Sequence, residues 1–247
     1  MNIEYHRWWS PHLGHDMELK VYGHDGKAVL VFPTAAGRFY DYEDFDMVEA
    51  CRPFLDTGAI KLFTVDSLDE QTWLNEQIHP HDRAHRYEDY DRYIVHEVVP
   101  FIRSHGTAYT KLMVTGCDLG GTHAANCFFK HPNVFDTLVA LSGIYSSTPF
   151  LGAFLDDRTY YHFPLVYLPN LDDPKYLERY RESMIIFCVG QGAWEEQSLA
   201  DTHAMRTVLN EKHIPAWVDV WGYDVNHDWP WWQKQIAYFL SHLPFTR

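Results

Sequence analysis

The stretch Lys111-Leu-Met-Val-Thr-Gly-Cys-Asp-Leu-Gly-Gly-Thr-His-Ala-Ala-Asn126 carries the pattern that decides the fold of this chain. It begins with an apolar run that is typical of a buried strand, and it ends in residues of helical character. Gly116 and Gly120 flank Asp118, and glycines let neighbouring backbone pass without a Cβ clash. We therefore predict a strand, a sharp turn and a helix, with Asp118 in a strained conformation that projects its side chain above the sheet. The helix N-terminus that follows favours the ionised carboxylate.

Short apolar runs bounded by turn residues alternate with helical patterns along the rest of the chain. The predicted strands are 28–32, 60–65, 111–115, 137–141, 184–189 and 216–221, and the predicted helices are 41–56, 88–104, 120–130, 197–213 and 231–242. Near-continuous apolar strands of this kind are typical of a parallel sheet covered on both faces. The alternation predicts an open, doubly wound, mostly parallel α/β sheet. Before it, the alternating Met17, Leu19 and Val21 predict an antiparallel strand that is closed by the turn Gly23-His-Asp-Gly26, and we expect a hairpin at a sheet edge.

One segment interrupts this alternation. Residues 146–180 separate two predicted strands by about forty residues, which is longer than an ordinary βα loop. We expect a short insertion over the carboxyl edge of the sheet, where it either shapes a substrate pocket or is a decorative subdomain. Because the sequence has no internal repeat and no Gly/Ser linker, we expect residues 1–247 to form a single domain.

The charge of the chain argues against two classes of partner. Its 247 residues include 20 Lys and Arg against 34 Asp and Glu, a net charge of −14 with neutral histidines. Such a surface repels nucleic acids and anionic lipids, so we expect neither a nucleic acid nor a membrane as a partner. No apolar run approaches the roughly 20 residues of a spanning helix, and no signal peptide is evident. We expect a cytoplasmic protein, and the sequence is compatible with a homo-oligomer.

The cysteines and histidines predict no metal site. Four cysteines, 51, 117, 127 and 188, form no C-x-x-C pair, and we expect free, mostly buried thiols. Histidines crowd in the segment 79–85, but Pro80 keeps it from being a regular helix, and no helical histidine pair is accompanied by a glutamate base. We therefore expect neither a metal nor another cofactor.

The turn around Asp118 matches the nucleophile elbow G-x-S-x-G, with the aspartate in the position of the serine. A phosphate-binding loop is a weaker interpretation, because no Lys-Ser/Thr pair follows the glycines. A nucleophile needs a base, and in this arrangement the chain order is nucleophile, acid, histidine. His227 lies in the loop after the last predicted strand and is the candidate base. Its alternative role is that of a loop histidine packed among tryptophans.

An acid that orients the histidine is expected in the turn after the predicted strand 184–189. Glu195 and Glu196 both lie within reach of that turn, and Glu195 is slightly favoured. Either glutamate could instead complement the dipole at a helix N-terminus. Asp224 and Asp228 are less favoured candidates for the same role.

A developing oxyanion needs two backbone N–H donors. Leu119 supplies the first by position, because it directly follows the candidate nucleophile. The second is expected after the strand 28–32, where Ala35 or Ala36 lets the backbone approach a substrate oxygen. A plain βα turn that needs small residues explains these alanines equally well.

The sequence resembles the putative-esterase branch of the α/β-hydrolases, related to esterase D and feruloyl-esterase-like enzymes, over nearly its whole length. The residues that carry the resemblance are Phe32-Pro-Thr-Ala-Ala-Gly37, Val65-Asp-Ser-Leu-Asp69 with Trp73, Gly116-Cys-Asp-Leu-Gly-Gly121 with His123-Ala-Ala-Asn126, Ala140-Leu-Ser-Gly-Ile-Tyr145, Gly190-Gln-Gly-Ala-Trp-Glu195 and Asn226-His-Asp-Trp-Pro-Trp-Trp232. The resemblance implies an α/β-hydrolase fold and a serine carboxylesterase that acts on a small-molecule ester by Ser-His-acid acyl transfer. The family's serine falls on Asp118, its histidine on His227 and its acid on the region of Glu195.

The aspartate allows three readings. The first is an esterase-type protein whose serine is replaced, with reduced or absent turnover. The second is a hydrolase in which Asp118 itself attacks carbon, as in haloalkane dehalogenases and epoxide hydrolases. The third is a binding protein that retains the cleft. Dehalogenase-like enzymes normally carry a tryptophan after the aspartate and a large helical cap, whereas Leu119 follows here and the insertion is short and polar. The first reading therefore ranks above the second, and the second above the third.

Overall fold

Eight strands form one sheet within residues 1–106 and 109–245, which the computed structural model describes. They are β1 (Ile3–Ser10), β2 (His15–Tyr22), β3 (Lys27–Phe32), β4 (Ile60–Val65), β5 (Leu112–Cys117), β6 (Phe135–Leu141), β7 (Met184–Val189) and β8 (Trp217–Val220). Their order across the sheet is β1-β2-β4-β3-β5-β6-β7-β8. The pairs β1/β2 and β2/β4 are antiparallel, and all other neighbours are parallel. The prediction of a mostly parallel sheet is confirmed. An antiparallel hairpin does lie at the sheet edge, but it joins β2 to the preceding strand β1, and the turn at residues 23–26 does not pair β2 with β3.

Helices cover both faces of this sheet. They are α1 (Asp41–Asp44), α2 (Met47–Ala50), α3 (Arg52–Asp56), α4 (Pro80–Tyr93), α5 (Val99–Ser104), α6 (Leu119–Lys130), α7 (Thr148–Leu151), α8 (Pro164–Tyr167), α9 (Pro174–Arg181), α10 (Glu196–Glu211) and α11 (Trp229–His242). Buried side chains of α4, α5, α6 and α10 form a core on one face, and those of α1, α2, α3 and α11 form a core on the other. Successive strand residues point to opposite faces, so Leu62 and Phe63 of β4 enter different cores. The strands β3 to β7 are largely apolar because both of their faces are buried.

Two helix predictions were wrong in detail. The predicted helix 41–56 is three short helices. Asp46 has a left-handed backbone with φ of 56°, which interrupts the helical hydrogen bonds between α1 and α2. The predicted helix 88–104 begins earlier, at Pro80, and reaches Ser104 through a π-helical turn at Ile94–Val98. Proline is well accommodated in the first turn of a helix, where its missing N–H has no partner to lose. The His79 side chain caps this helix by accepting from the His81 backbone.

The segment between β6 and β7 contributes buried side chains to the core. It contains α7, α8 and α9, with 3-10 turns at Thr159–His162 and Leu168–Asn170. Phe163 is buried against Trp73, and the Tyr180 hydroxyl donates to the backbone oxygen of Phe129 in α6. At the start of the segment, the buried carboxylate of Asp201 in α10 accepts hydrogen bonds from two consecutive backbone N–H groups. These contacts hold the insertion against the α4/α6/α10 side of the sheet.

The four cysteines are free and buried, as predicted. Burial in apolar surroundings raises the pKa of Cys51 to about 12, so its thiol stays protonated and unreactive. Within the part of the chain that the structure describes, no helix is both long enough and apolar enough to cross a bilayer.

Candidate active site

The turn after β5 holds Asp118 in a strained backbone conformation, with φ of 56° and ψ of −129°. Glycines are required on both sides of it. A Cβ at Gly116 would lie 2.3 Å from the backbone oxygen of Gly120, and a Cβ at Gly120 would lie 2.3 Å from that of Pro33. The close approach of β5, α6 and the end of β3 therefore excludes any side chain at these two positions. The turn is the predicted elbow, and it presents the Asp118 carboxylate at the carboxyl edge of the sheet.

The two oxygens of the Asp118 carboxylate have different partners. Oδ1 lies 3.2 Å from Nε2 of His227. Oδ2 accepts a hydrogen bond of 2.9 Å from the backbone N–H of Ala35, and the backbone N–H of Leu119 also donates to this carboxylate. The carboxylate therefore occupies the position between two backbone donors where an oxyanion would be bound in an acyl-transfer site.

Glu195 completes a chain of three side chains. Its Oε2 lies 3.1 Å from Nδ1 of His227. Its Oε1 accepts hydrogen bonds from the Ser142 hydroxyl at 2.7 Å and from the Gly190 backbone at 3.2 Å. Only 1% of the Glu195 side chain is exposed, so these donors satisfy a carboxylate that water does not reach. The fixed carboxylate holds the His227 ring in one orientation.

The other acidic candidates do not contact His227. Glu196 is exposed and is the first residue of α10, where its charge complements the helix dipole. Asp228 caps α11 by accepting from the backbone of Trp229, and Asp224 is exposed. Glu195 is thus the partner of His227, as the sequence slightly favoured.

The loop that carries His227 is joined to the loop that carries Glu195 by backbone hydrogen bonds. The His227 N–H donates to the Ala193 oxygen at 3.0 Å, and the Ala193 N–H donates to the Asn226 side chain at 2.9 Å. The His227 ring also packs edge-on against Trp232, with centroids 4.9 Å apart. The Trp232 indole in turn donates to the Ser142 hydroxyl. Sequence analysis did not identify Ser142 or Asn226, because their partners are far away in the sequence.

Ala36 differs from the expectation for the oxyanion hole. Its N–H donates to Oδ2 of Asp69 at 3.0 Å and therefore does not face the cleft, so Ala35 is the donor that meets Asp118. Asp69 is 1% exposed and also lies 2.7 Å from Nε2 of the equally buried His123, whose Nδ1 contacts the Tyr87 hydroxyl. This buried group fixes the loop that carries Ala35. Asp69 and His123 lie in segments that carry the family resemblance and Tyr87 does not, and no local pattern in the sequence indicates that the three side chains meet.

The electrostatics of the three side chains favour an ion pair. Burial opposes the charged imidazolium, but the hydrogen bonds to Asp118 and Glu195 outweigh it and raise the pKa of His227 to about 9. Burial likewise favours a neutral Asp118, yet the hydrogen bonds from His227 and from the Ala35 backbone lower the pKa of Asp118 below its ordinary value. At neutral pH, His227 is therefore protonated and Asp118 is ionised.

A family model described as "Putative esterase" matches residues 21–243. The chain belongs to this esterase family. The match includes the turn around Asp118, the loop that carries His227 and the turn that carries Glu195, which we call the glutamate turn. The α/β-hydrolase interpretation of the sequence is therefore confirmed. None of the curated proteins matches the chain.

Solved structures with the same fold include three at low sequence identity. A ferulic acid esterase superposes with a TM-score of 0.76 at 14% identity, over 98% of this chain and 96% of its own. MPT51 (FbpC1) of Mycobacterium tuberculosis superposes with a TM-score of 0.75 at 14% identity, over 98% and 97%. An S-formylglutathione hydrolase of Agrobacterium tumefaciens superposes with a TM-score of 0.72 at 15% identity, over 97% and 93%. At these identities the likeness shows a common fold over nearly the whole chain. The reaction has to be argued from the residues of the site.

Proposed function

We propose that the cleft is a carboxylesterase-type acyl-transfer site for a small-molecule ester, with turnover strongly reduced because Asp118 stands in the nucleophile position. The observation that carries the proposal is the hydrogen-bonded chain Glu195–His227–Asp118 facing the backbone donors of Ala35 and Leu119. This arrangement contains a histidine base, an orienting carboxylate and two oxyanion donors, which are the parts that acyl transfer requires.

Three physical reasons make the aspartate a poor nucleophile for esters. A carboxylate that attacks an ester carbonyl forms an anhydride, which is higher in energy than the ester it replaces. The carboxylate also takes the Ala35 donor that the substrate oxygen would need. Finally, the pKa of His227 is raised to about 9, so at neutral pH the ring carries a proton and cannot accept another.

The test is Asp118→Ser, assayed with p-nitrophenyl acetate at pH 7 to 8. A serine hydroxyl removes the negative charge, frees the donors and places a neutral nucleophile beside His227. We expect hydrolysis to rise by about a hundredfold or more, the scale on which an oxyanion hole contributes. Asp118→Asn is the matched control, since it removes the charge without supplying a nucleophile, and it should stay inactive. An original protein as active as its serine variant would contradict the proposal.

A second candidate is a hydrolase in which Asp118 attacks a saturated carbon. The observation that favours it is that the two carboxylate oxygens differ: Oδ2 accepts from the Ala35 backbone, and Oδ1 is directed toward His227. In this reaction Oδ1 would displace a halide or open an epoxide, and water activated by His227 would then hydrolyse the alkyl ester. Leu119 takes the place of the halide-binding tryptophan, so the candidate ranks second.

The two candidates differ in what they leave on the protein. Incubating the His227→Gln variant with an alkyl halide or an epoxide would trap the alkyl ester on Asp118, because the activating base is missing. Intact-mass measurement would then show the added alkyl group, and Asp118→Asn would show none. No adduct, together with new esterase activity in Asp118→Ser, favours the first candidate. If the protein forms no adduct and gains no esterase activity, both enzymatic candidates fail and only the interpretation as a binding protein that retains the cleft is left of the three.

A further inference from the structure

Away from the Asp118 cleft, three side chains with metal-binding atoms meet between the edge strand β1 and the end of α5. Glu4 and His6 are two residues apart in β1, so their side chains lie on the same face of the sheet. His105 directly follows α5, which packs on that face. Oε2 of Glu4 lies 3.0 Å from Nε2 of His6 and 3.4 Å from Nε2 of His105. The three atoms lie within 4.8 Å of one another.

The protonation of the His105 ring is set by a backbone contact. Its Nδ1 lies 3.0 Å from the carbonyl oxygen of Phe101, which can only accept a hydrogen bond, so Nδ1 carries a proton. In the neutral ring, Nε2 then presents a lone pair toward the Glu4 carboxylate. Two lone pairs at this distance attract each other only through a proton or a cation between them. A histidine that donates Nδ1–H to a carbonyl and directs Nε2 to a common point has the orientation typical of metal ligands.

The spacing of the three atoms suits a tetrahedral ion. Zn²⁺ binds histidine nitrogen and carboxylate oxygen at about 2.0–2.2 Å, so neighbouring ligand atoms in a tetrahedron lie about 3.3–3.5 Å apart. The distances from Glu4 to His6 and His105, 3.0 and 3.4 Å, are close to this without any movement.

We propose that Glu4, His6 and His105 bind one Zn²⁺ ion, with a water molecule as the fourth ligand. Two imidazoles and one carboxylate suit zinc better than calcium or magnesium, which prefer oxygen ligands. The side chains are 41%, 30% and 17% exposed, so an ion reaches them from solvent. Bound there, it links the edge strand to α5. The site lies away from the carboxyl edge that carries Asp118. Glu4 of β1 pairs with Val21 of β2, and Val21 pairs with Phe63, which lies within β4 before its carboxyl end.

The charges around the site are mixed. Glu4 contributes a carboxylate oxygen, and the two histidines contribute ring nitrogens that bind a metal ion only when they carry no proton. Lys61 of β4 adds a positive charge nearby and is largely buried over the ring of Phe63. The ammonium weakens binding of a cation, whereas the net charge of −14 on the whole chain favours it. Because these two effects oppose each other, we expect a moderate affinity for Zn²⁺.

The experiment is titration of the metal-free full chain with Zn²⁺ in a buffer that does not bind zinc, followed by isothermal calorimetry. We expect one ion per chain at the strongest site. Glu4→Gln, His6→Ala and His105→Ala should each weaken that step by about tenfold or more, since even outer-sphere changes at metal sites cost 10–100-fold. His203→Ala is the matched control, because His203 is exposed on α10 and far from β1 in the sequence, and it should leave the step unchanged.

Two further measurements distinguish one defined zinc site from weak zinc binding by histidines elsewhere on the surface. Zn²⁺ should raise the melting temperature of the original protein and of His203→Ala, but not that of His105→Ala, because binding to the folded state stabilises it. Circular dichroism without metal checks that each variant is folded. Unchanged zinc affinity in folded His6→Ala and His105→Ala would overturn the proposal, and so would an equal loss of affinity in His203→Ala. Neither result would affect the proposed esterase chemistry, which uses other residues.

Discussion

Replacing Asp118 with asparagine should lower the pKa of His227 and weaken the dependence of stability on pH. The pKa of His227 is raised from 6.5 to about 9 in the folded protein, against burial, by its hydrogen bonds to Asp118 and Glu195. One pKa unit corresponds to about 1.4 kcal/mol, so the rise from 6.5 to about 9 is equivalent to about 3 kcal/mol of differential stability. His227 is only 16% exposed, so solvent screens this interaction little.

The sign of the effect follows from which state binds the proton more tightly. The folded protein holds the His227 proton more tightly than the unfolded chain, so the stabilisation is fully present below pH 6.5. It is lost as the pH rises through about 9, where the folded ring deprotonates. At low pH it is lost again once Asp118 is protonated, below its already lowered pKa. We therefore expect a decline in stability of up to about 3 kcal/mol between pH 6.5 and 9 from this residue.

Asp118→Asn keeps the size of the side chain and removes its charge, while Glu195 still contacts the ring. Loss of one adjacent opposite charge should lower the pKa of His227 by about one to two units. NMR titration of the ring protons measures this, with the His227 signal assigned by its absence in His227→Gln. Urea unfolding at pH 6.5 and 9 should show a smaller decline in the variant, and the difference between the two proteins cancels contributions from other groups. An unchanged His227 titration would mean that the two side chains do not interact in solution, and the proposed site would have to be abandoned.

Three other predictions follow from the packing around the site. In the background of Asp118→Ser, Glu195→Gln should lower kcat for p-nitrophenyl acetate by at least about tenfold, because the ring loses its charged partner, while the neighbouring change Glu196→Gln should have little effect. Gly120→Ala should destabilise the protein by several kcal/mol in urea unfolding, about as much as overpacking a core does, since its Cβ would meet backbone at 2.3 Å. Asp69→Ala should cost about 1–3 kcal/mol for each of the two groups that it leaves without an acceptor, the buried His123 ring and the Ala36 N–H, and a total loss below about 1 kcal/mol in the same assay would contradict that role.

Much of the architecture was predictable because it depends on local patterns. Apolar runs bounded by turns identify strands, and the glycines around Asp118 identify a turn too tight for side chains. The position of His227 follows from the order of elements along the chain, since the carboxyl ends of parallel strands meet at one edge. The break at Asp46 was not predictable, because a left-handed aspartate in a helical pattern leaves no local signal. The start of α4 at Pro80 was missed because a proline can either interrupt a helix or begin one.

Sequence patterns alone indicate which segments reach the carboxyl edge, whereas the packing of distant elements sets which atoms meet there. Glu195 and Glu196 are neighbours with identical side chains, and only the packing of the glutamate turn buries the first against Ser142 while leaving the second in solvent. In the same way, the N–H of Ala36 is directed to Asp69 and that of Ala35 to the cleft. The reason is physical: patterns in sequence report the period and burial of each element, whereas hydrogen bonds depend on ångström-scale positions that arise only when distant elements pack together.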